Sequence, residues 1–403
     1  MILWQILATA TFASMGLVFV IYIGYYLYIL RLLKNKSKQQ VNIDFRPKIT
    51  IIVPTYNDAE TIEDKLLNLI EQSYPTDMID VLLIDSNSKD ETVNKVRKFM
   101  VSYPEISMKI IVENERKGKS EAINKALSTV DPQSEIVVMT DANAFLNRDA
   151  LERIVSCFSC PQVGAVVGRQ IIPSTDNSNE ALSETAYLSF YQKMREGESI
   201  IDSTPIFDGE FSAYRTRVIR DKKIREDLNA DDSQLATIVR REGYKAVIEP
   251  EALFYEALPT NRQSLRIQKV RRGQGLARLF WYNKDIMFKT SYGKFGSVIL
   301  PINFFMHIIS PFLVFSTIIL AIMSILFYVF QTGQLVLPAI FLFLVLTMGL
   351  IDRILPTKTK TLSIGLTFVR YQLILLEGII QLLRGKSLHK WEKVEKTYVK
   401  QGL

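Results

Sequence analysis

With two cysteines and two histidines among 403 residues, the chain has little material for soft-metal or imidazole chemistry. Cys157 and Cys160 form one C-x-x-C with no second pair, and His307 and His389 lie far from them, so the two thiols read as ordinary thiols rather than half of a zinc or redox site. A G-x-G-x-x-G fingerprint is absent. Gly118-Lys119-Ser120 hints at a phosphate loop, but Glu113 stands where that loop needs its first glycine. The net charge of +7 is carried by basic residues that flank apolar tracts or mix with acids, with no basic aromatic groove motif, which argues against a nucleic-acid partner.

Charge is missing altogether from residues 2 to 30, a span long enough to cross a bilayer, which needs roughly 20 apolar residues. It ends in Arg31, Lys34, Lys36 and Lys38, and it lacks the basic start and cleavage site of a secretory signal, so residues 1–34 read as a retained anchor. Basic residues collect on the cytoplasmic side of a span, which places the N-terminus outside and the following domain in the cytosol of a multi-pass cell-membrane protein. A second uncharged tract, 295–351, is broken by Gln331 to Gln334 and reads as a hairpin of two spans whose first arm carries Pro301 and Pro311. The segment 361–385 differs: Ser363, Thr367, Arg370, Glu377, Gln381 and Arg384 share one helical face, with Gln372 as the exception. It lies in the membrane surface or spans with that stripe turned to a protein-lined path; parity of crossings favours the surface and leaves the basic tail 386–403 cytosolic.

Residues 40–290 carry most of the charge and form the working domain. "KITIIVPT", "DVLLIDS", "KIIVEN" and "EIVVMTD" alternate with helical patterns from Ala59, Asp90, Lys119 and Arg148, the signature of β-α-β units: an α/β fold with a mostly parallel, Rossmann-like sheet. Ligands bind such sheets at the carboxyl ends of the strands. Here those ends are polar and acidic. A carboxylate-lined site that must bind an anion recruits a divalent metal, so Asp141 and Asn143 of Asp141-Ala142-Asn143 are expected to offer oxygens to Mg²⁺ or Mn²⁺ bridging a diphosphate; a plain Asx turn is the alternative.

The ordered set of motifs resembles the family 2 glycosyltransferases, in particular the membrane-embedded cellulose, chitin, hyaluronan and poly-N-acetylglucosamine synthases. "VPTYND" (53–58), "IDSNSKDET" (84–92), "RKGKSEAINKAL" (116–127) and "DAN" (141–143) follow one another as the family's nucleotide-binding elements, its G-K-x-x-A-L-N and its D-x-D do. "DGEFSAYRTRVI" (208–219) resembles the acceptor segment, "ADDSQLATIVRREGYKAV" (230–247) the E-D-x-x-L…G-Y motif, and Gln268-Lys269-Val270-Arg271-Arg272 the Q-x-x-R-W motif. Two positions depart: Asn143 replaces the second aspartate, and Arg272 replaces the tryptophan associated with chain extension.

The resemblance implies a GT-A domain and an inverting transfer from a nucleotide-diphosphate sugar, a UDP-sugar first, to a growing polysaccharide, or alternatively of one sugar to a membrane lipid. It implies Asp232 as the catalytic base, Thr55, Tyr56, Asp58, Asp85 and Lys119 on the donor, and Gln268, Arg271 and Arg272 on the diphosphate or acceptor. With both histidines outside the working domain, a carboxylate must serve as the base. Implied partners are the donor, a glycan or lipid acceptor and membrane lipids; a partner subunit is left open, and a non-catalytic membrane scaffold is the remote alternative.

Overall fold

The computed structural model describes residues 2–35, 42, 44–171, 179–256, 262–336, 339, 347 and 361–388. After a long N-terminal helix, α1 (Ile2–Lys34), four strands alternate with helices as their patterns require: β1 (Ile49–Thr55), α2 (Ile62–Ile70), β2 (Ile79–Asp85), α3 (Thr92–Ser102), β3 (Ser107–Val112), α4 (Lys119–Thr129) and β4 (Ile136–Thr140). These four strands are parallel, in the spatial order β3-β2-β1-β4. Side chains alternate across β1: Ile49, Ile51 and Val53 join Ile62, Leu66 and Val96 in one core layer, whereas Ile52 joins Ala122, Ile123 and Leu127 in the other. Each fully buried aliphatic side chain contributes about 1.5–3 kcal/mol, so both faces of the sheet are held by apolar burial. Strand order runs outward in both directions from β1 and β4, which makes the crevice between their carboxyl ends the topological switch point.

The second half departs from simple β-α repetition. The run after Asp141-Ala142-Asn143 enters a helix only at Ala150, because Ala144, Phe145 and Leu146 first form a short strand, β5 (Ala144–Leu146). It is followed by α5 (Ala150–Ser156), β6 (Val163–Ile171), α6 (Asn179–Ile201), β7 (Phe211–Arg215), α7 (Thr216–Ile219), α8 (Asp231–Arg241), β8 (Lys245–Glu256) and α9 (Arg262–Tyr282). β7 lies antiparallel between β4 and β6, and β5 pairs antiparallel with β8, completing an eight-stranded mixed sheet. The turn at Ala142 is thereby clamped between two strands of one sheet.

Beyond α9, residues Phe295–Thr332 form one 38-residue helix, α10, with π turns at Phe295–Ile299 and Phe305–Ile309, and Thr361–Leu383 form α11. Pro301 and Pro311 each remove one backbone donor near those turns, which accounts for the irregular ladder there. Leu3–Lys34, Phe295–Thr332 and Gly365–Leu383 are long and apolar enough to cross a membrane. The second arm of the expected hairpin and the tail from 389 lie outside the described residues, apart from positions 335, 336, 339 and 347 of the arm.

These helices pack together through polar side chains as well as apolar ones. Gln372, the residue off α11's polar stripe, is buried: its amide donates to the Tyr22 hydroxyl (2.8 Å) of α1 and accepts from Ser310 (2.7 Å) of α10. The anchor is also tied to the working domain. A Cβ at Gly197 of α6 would stand 2.4 Å from Ile29 of α1, so only glycine permits this approach. Beside it Tyr25 donates to the Glu198 carboxylate (3.2 Å), which also accepts from Thr204 (2.8 Å) and Asn303 (2.7 Å).

Candidate active site

Beside the switch point, on the β7 side of β4, the loops after β3 and β4, the turn before β7, the first turn of α8 and the middle of α9 enclose a cavity of about 140 Å³. That is smaller than the ~300–1,000 Å³ that enclose a whole small-molecule ligand, so it has room for one end of such a ligand only. Lys119, Asp141, Asp232, Arg271 and Arg272, widely separated in sequence, all line it. Gly209 forms part of its wall: a Cβ there would lie 3.3 Å from the Lys119 ammonium and 3.5 Å from an Asp232 carboxylate oxygen.

Six carboxylates and four basic side chains line the cavity among the described residues, leaving it net acidic. Asp141 pairs with Lys119 (2.6 Å), and Arg195 pairs with Asp208 (2.5 Å). Arg272 pairs with the buried Glu210 and lies 3.9 Å from Glu256, so in this structure it balances buried acids. Neither Asp231 nor Asp232 caps α8; both sit in its first turn, after Ala230. Asp231 accepts from Ser120, and the Tyr214 hydroxyl donates to the Asp232 carbonyl (3.1 Å).

Burial, and next the adjacent Asp231 charge, pushes the Asp232 carboxyl well above the usual carboxylate range, against the opposing pull of Lys119. Burial likewise raises Asp231. Lys119 loses some basicity to burial, but Asp141 and then Asp231 more than restore it, so its ammonium stays charged. Burial and the neighbouring Arg272 lower Arg271, and Glu210 holds Arg272 charged.

The remaining expected residues stand outside the cavity. Asp85 at the end of β2 is fully buried and turned inward, accepting from Thr55 (3.2 Å) and from the Ser88 backbone (2.9 Å). Asp58 accepts from the Tyr56 backbone N–H (3.0 Å), which shapes the loop after β1, and the Arg116 guanidinium lies 4.0 Å above the Tyr56 ring. Asn57 and Asn87 take left-handed backbone conformations at these two strand ends (φ 53° and 61°), a geometry asparagine tolerates. Gln268 is half-buried on α9, one turn before Arg271.

One residue that the motifs did not single out supports the turn. Lys65 of α2 is completely buried, with its ammonium donating to the Thr140 hydroxyl (2.8 Å) and the Ala144 carbonyl on either side of Asp141-Ala142-Asn143. Burial lowers its pKa to about 7, with Asp141 opposing. Asn68, one turn on, donates to the Leu146 carbonyl (2.8 Å) and accepts from the Leu146 N–H (2.8 Å). The sequence signal was available: Lys65 lies on the apolar stripe of α2 defined by Ile62, Leu66 and Leu69.

Asp141 lines the cavity and Asn143, two residues on, stands outside its lining; both carry hard oxygen donors of the kind that suits Mg²⁺ or Mn²⁺, and Asp141 already holds one cation, the Lys119 ammonium. No cluster of three or more His, Cys, Asp or Glu that could cage a metal occurs among the described residues. A donor set this small fits an ion that takes its other ligands from substrate phosphates and water.

A mixed, mostly parallel α/β sheet with an acid-lined cavity at its strand ends is the architecture of a GT-A glycosyltransferase. The chain belongs to Glycosyl transferase family group 2, whose profile matches residues 136–351; the Glycosyl transferase family 2 profile matches residues 50–221. It is similar to poly-beta-1,6-N-acetyl-D-glucosamine synthase of Staphylococcus aureus strain COL, 24% identical over 241 residues covering 59% of this chain and 57% of that protein. The synthase of that name in Staphylococcus epidermidis is 24% identical over 258 residues, with 62% and 60% covered, so the chain spans 57% and 60% of the length of these two relatives. Among solved structures it resembles mannosyltransferase PcManGT from Pyrobaculum calidifontis in complex with GDP-Man and Mn²⁺ (TM-score 0.77, 29% identity, 94% of this chain and 100% of that one).

Proposed function

We propose that the protein is an inverting membrane glycosyltransferase that transfers a sugar from a nucleotide-diphosphate sugar to a growing polysaccharide, with the donor and the catalytic domain on the cytosolic side. The observation that carries this reading is the meeting of Asp232 and the Lys119–Asp141 pair around Gly209 in one cavity. The acceptor hydroxyl oxygen bonds to the anomeric carbon from the face opposite the diphosphate. As that bond forms, the carbon–oxygen bond to the diphosphate breaks with its electron pair on the leaving group, and the hydroxyl proton passes to the Asp232 carboxylate. The raised basicity of Asp232 suits it to this task near neutral pH.

Asp141 and Asn143 would hold Mg²⁺ or Mn²⁺, which supplies positive charge against the diphosphate when bound. The acid excess of the cavity supports that requirement, since a diphosphate entering it without added positive charge meets net repulsion. Lys119 and Arg271 complement the phosphates from the protein side, and Arg272 keeps Glu210 and the acceptor side of the cavity in place. Thr55, Tyr56, Asp58 and Asp85 shape the nucleoside end, with the Tyr56 ring and Arg116 as flat surfaces against which a base stacks. Gln268 extends the α9 face toward the acceptor. A UDP-sugar is the donor expected from the sequence, and the likeness to PcManGT, solved with GDP-Man, makes guanosine donors part of the test.

Single addition to a membrane lipid is the second reading, favoured by Arg272 in place of the tryptophan associated with chain extension. Membranes containing the wild type are incubated with labelled UDP- and GDP-sugars and Mg²⁺ or Mn²⁺, and the label is separated by size and by solvent extraction. Label of high molecular mass is the expected result. One sugar on an extractable lipid would establish the second reading, and label in neither fraction would refute both.

A further inference from the structure

On the side of α9 away from the catalytic cavity, α11 forms one wall of a groove of about 800 Å³, completed by Phe315 of α10 and Arg266 of α9. Its lining combines two chemistries. Leu366, Leu373 and Phe315 present exposed apolar surface (61%, 39% and 44%) on helices that are apolar enough to cross a membrane. Among them stand Arg266, Arg370, Arg384 and Lys386, against a single carboxylate, Glu377. Arg266 already takes Glu377 (2.8 Å), and among the described residues neither the Arg370 nor the Arg384 side chain has a hydrogen-bond or ion-pair partner.

We propose that this groove binds an anionic membrane phospholipid, with its phosphate against the Arg384 and Lys386 cations at the end of α11 and its acyl chains running back along the Leu373, Leu366 and Phe315 surface. Apolar area bordered by unmatched cations fits a ligand that is itself half apolar and half anionic. A free phosphate or nucleotide would leave the apolar surface exposed, and a neutral lipid would leave the cations unmatched. The inference does not rest on the glycosyltransferase reading, since no residue of the catalytic cavity takes part. α9 nevertheless belongs to both sites, with Arg266 on the groove and Arg271 and Arg272 on the cavity, and a Cβ at Gly378 of α11 would stand 3.2 Å from the Val270 carbonyl. Lipid in the groove therefore braces the helix that carries the cavity's arginines.

The test uses the full chain in a non-ionic detergent, titrated with phosphatidylglycerol or phosphatidylcholine and read by native mass spectrometry and thermal shift. Wild type is expected to retain phosphatidylglycerol and gain thermal stability from it, and to respond little to phosphatidylcholine. R384Q/K386Q is expected to bind phosphatidylglycerol roughly 10- to 30-fold more weakly, each basic residue contributing about five-fold. A matched charge change outside the groove, K222Q/K223Q, should leave binding unchanged. K386Q replaces the double variant if that fails to fold, with a loss of about five-fold expected. Equal binding of the two lipids, unchanged phosphatidylglycerol affinity in the groove variants, or displacement of the lipid by millimolar inorganic phosphate would overturn the proposal.

Discussion

Replacing Asp232 with asparagine separates chemistry from binding. The substitution keeps the volume of the side chain and its place in the first turn of α8 but removes the carboxylate that takes the acceptor proton. Loss of a positioned general base costs about 10²- to 10⁴-fold, so kcat should fall by that factor, or about 3–5 kcal/mol on the barrier. Donor affinity should move the other way. The cavity holds six carboxylates against four cations, and the substitution removes one negative charge from beside the incoming diphosphate, so Kd for the donor should stay constant or tighten. The assay pairs donor titration by calorimetry with initial rates across pH. In wild type, kcat/KM should rise with pH through a value well above the ordinary carboxylate range, because burial and Asp231 oppose ionisation of Asp232. Asp232→Asn should lose that limb. Retained turnover, or donor affinity that collapses with turnover, would refute the base assignment.

Four further outcomes follow from the same geometry. Lys65→Met removes both supports of the Asp141-Ala142-Asn143 turn and leaves the Ala144 carbonyl without them; metal-dependent donor affinity should fall about ten-fold, with about 1–3 kcal/mol lost from stability, and unchanged donor binding would exclude a positioning role. Glu198, raised by burial to about 7, favours the folded state below its unfolded value near 4.5 and loses that contribution as pH rises through about 7, so melting temperature should drop between pH 5 and 7.5 by the equivalent of about 3 kcal/mol, and Glu198→Gln should flatten the profile. Arg272→Gln leaves buried Glu210 without its guanidinium; because the arginine side chain is 40% exposed, a loss of about 1–2 kcal/mol is expected in chemical denaturation, together with a fall in turnover. EDTA should abolish transfer and Mn²⁺ or Mg²⁺ restore it, whereas Asp141→Ala should require more metal for half-maximal donor binding.

The sequence by itself determined the first four β-α units, the acidic strand end at Asp141 and the first turn of α8 bearing Asp232, because periodicity and strand-end chemistry are local properties. The long apolar helices at 2–34 and 295–332 were legible for the same reason, whereas 361–385, read as a surface helix from its polar stripe and the parity of crossings, forms a helix that is long and apolar enough to cross a membrane. What followed Asn143 was not: β5 is a strand only because β8, more than a hundred residues later, pairs with it. Long-range packing also decided which acids and bases meet. It turned Asp85 inward onto Thr55 and Ser88, gave Arg272 to Glu210, drew Gln372 onto Tyr22 and Ser310, and placed Lys65 beneath the Asp141 turn. A charge reveals its type in the sequence, but its partner depends on how separated elements pack, and only tertiary structure brings residues 119, 141, 209, 232 and 271 to one cavity.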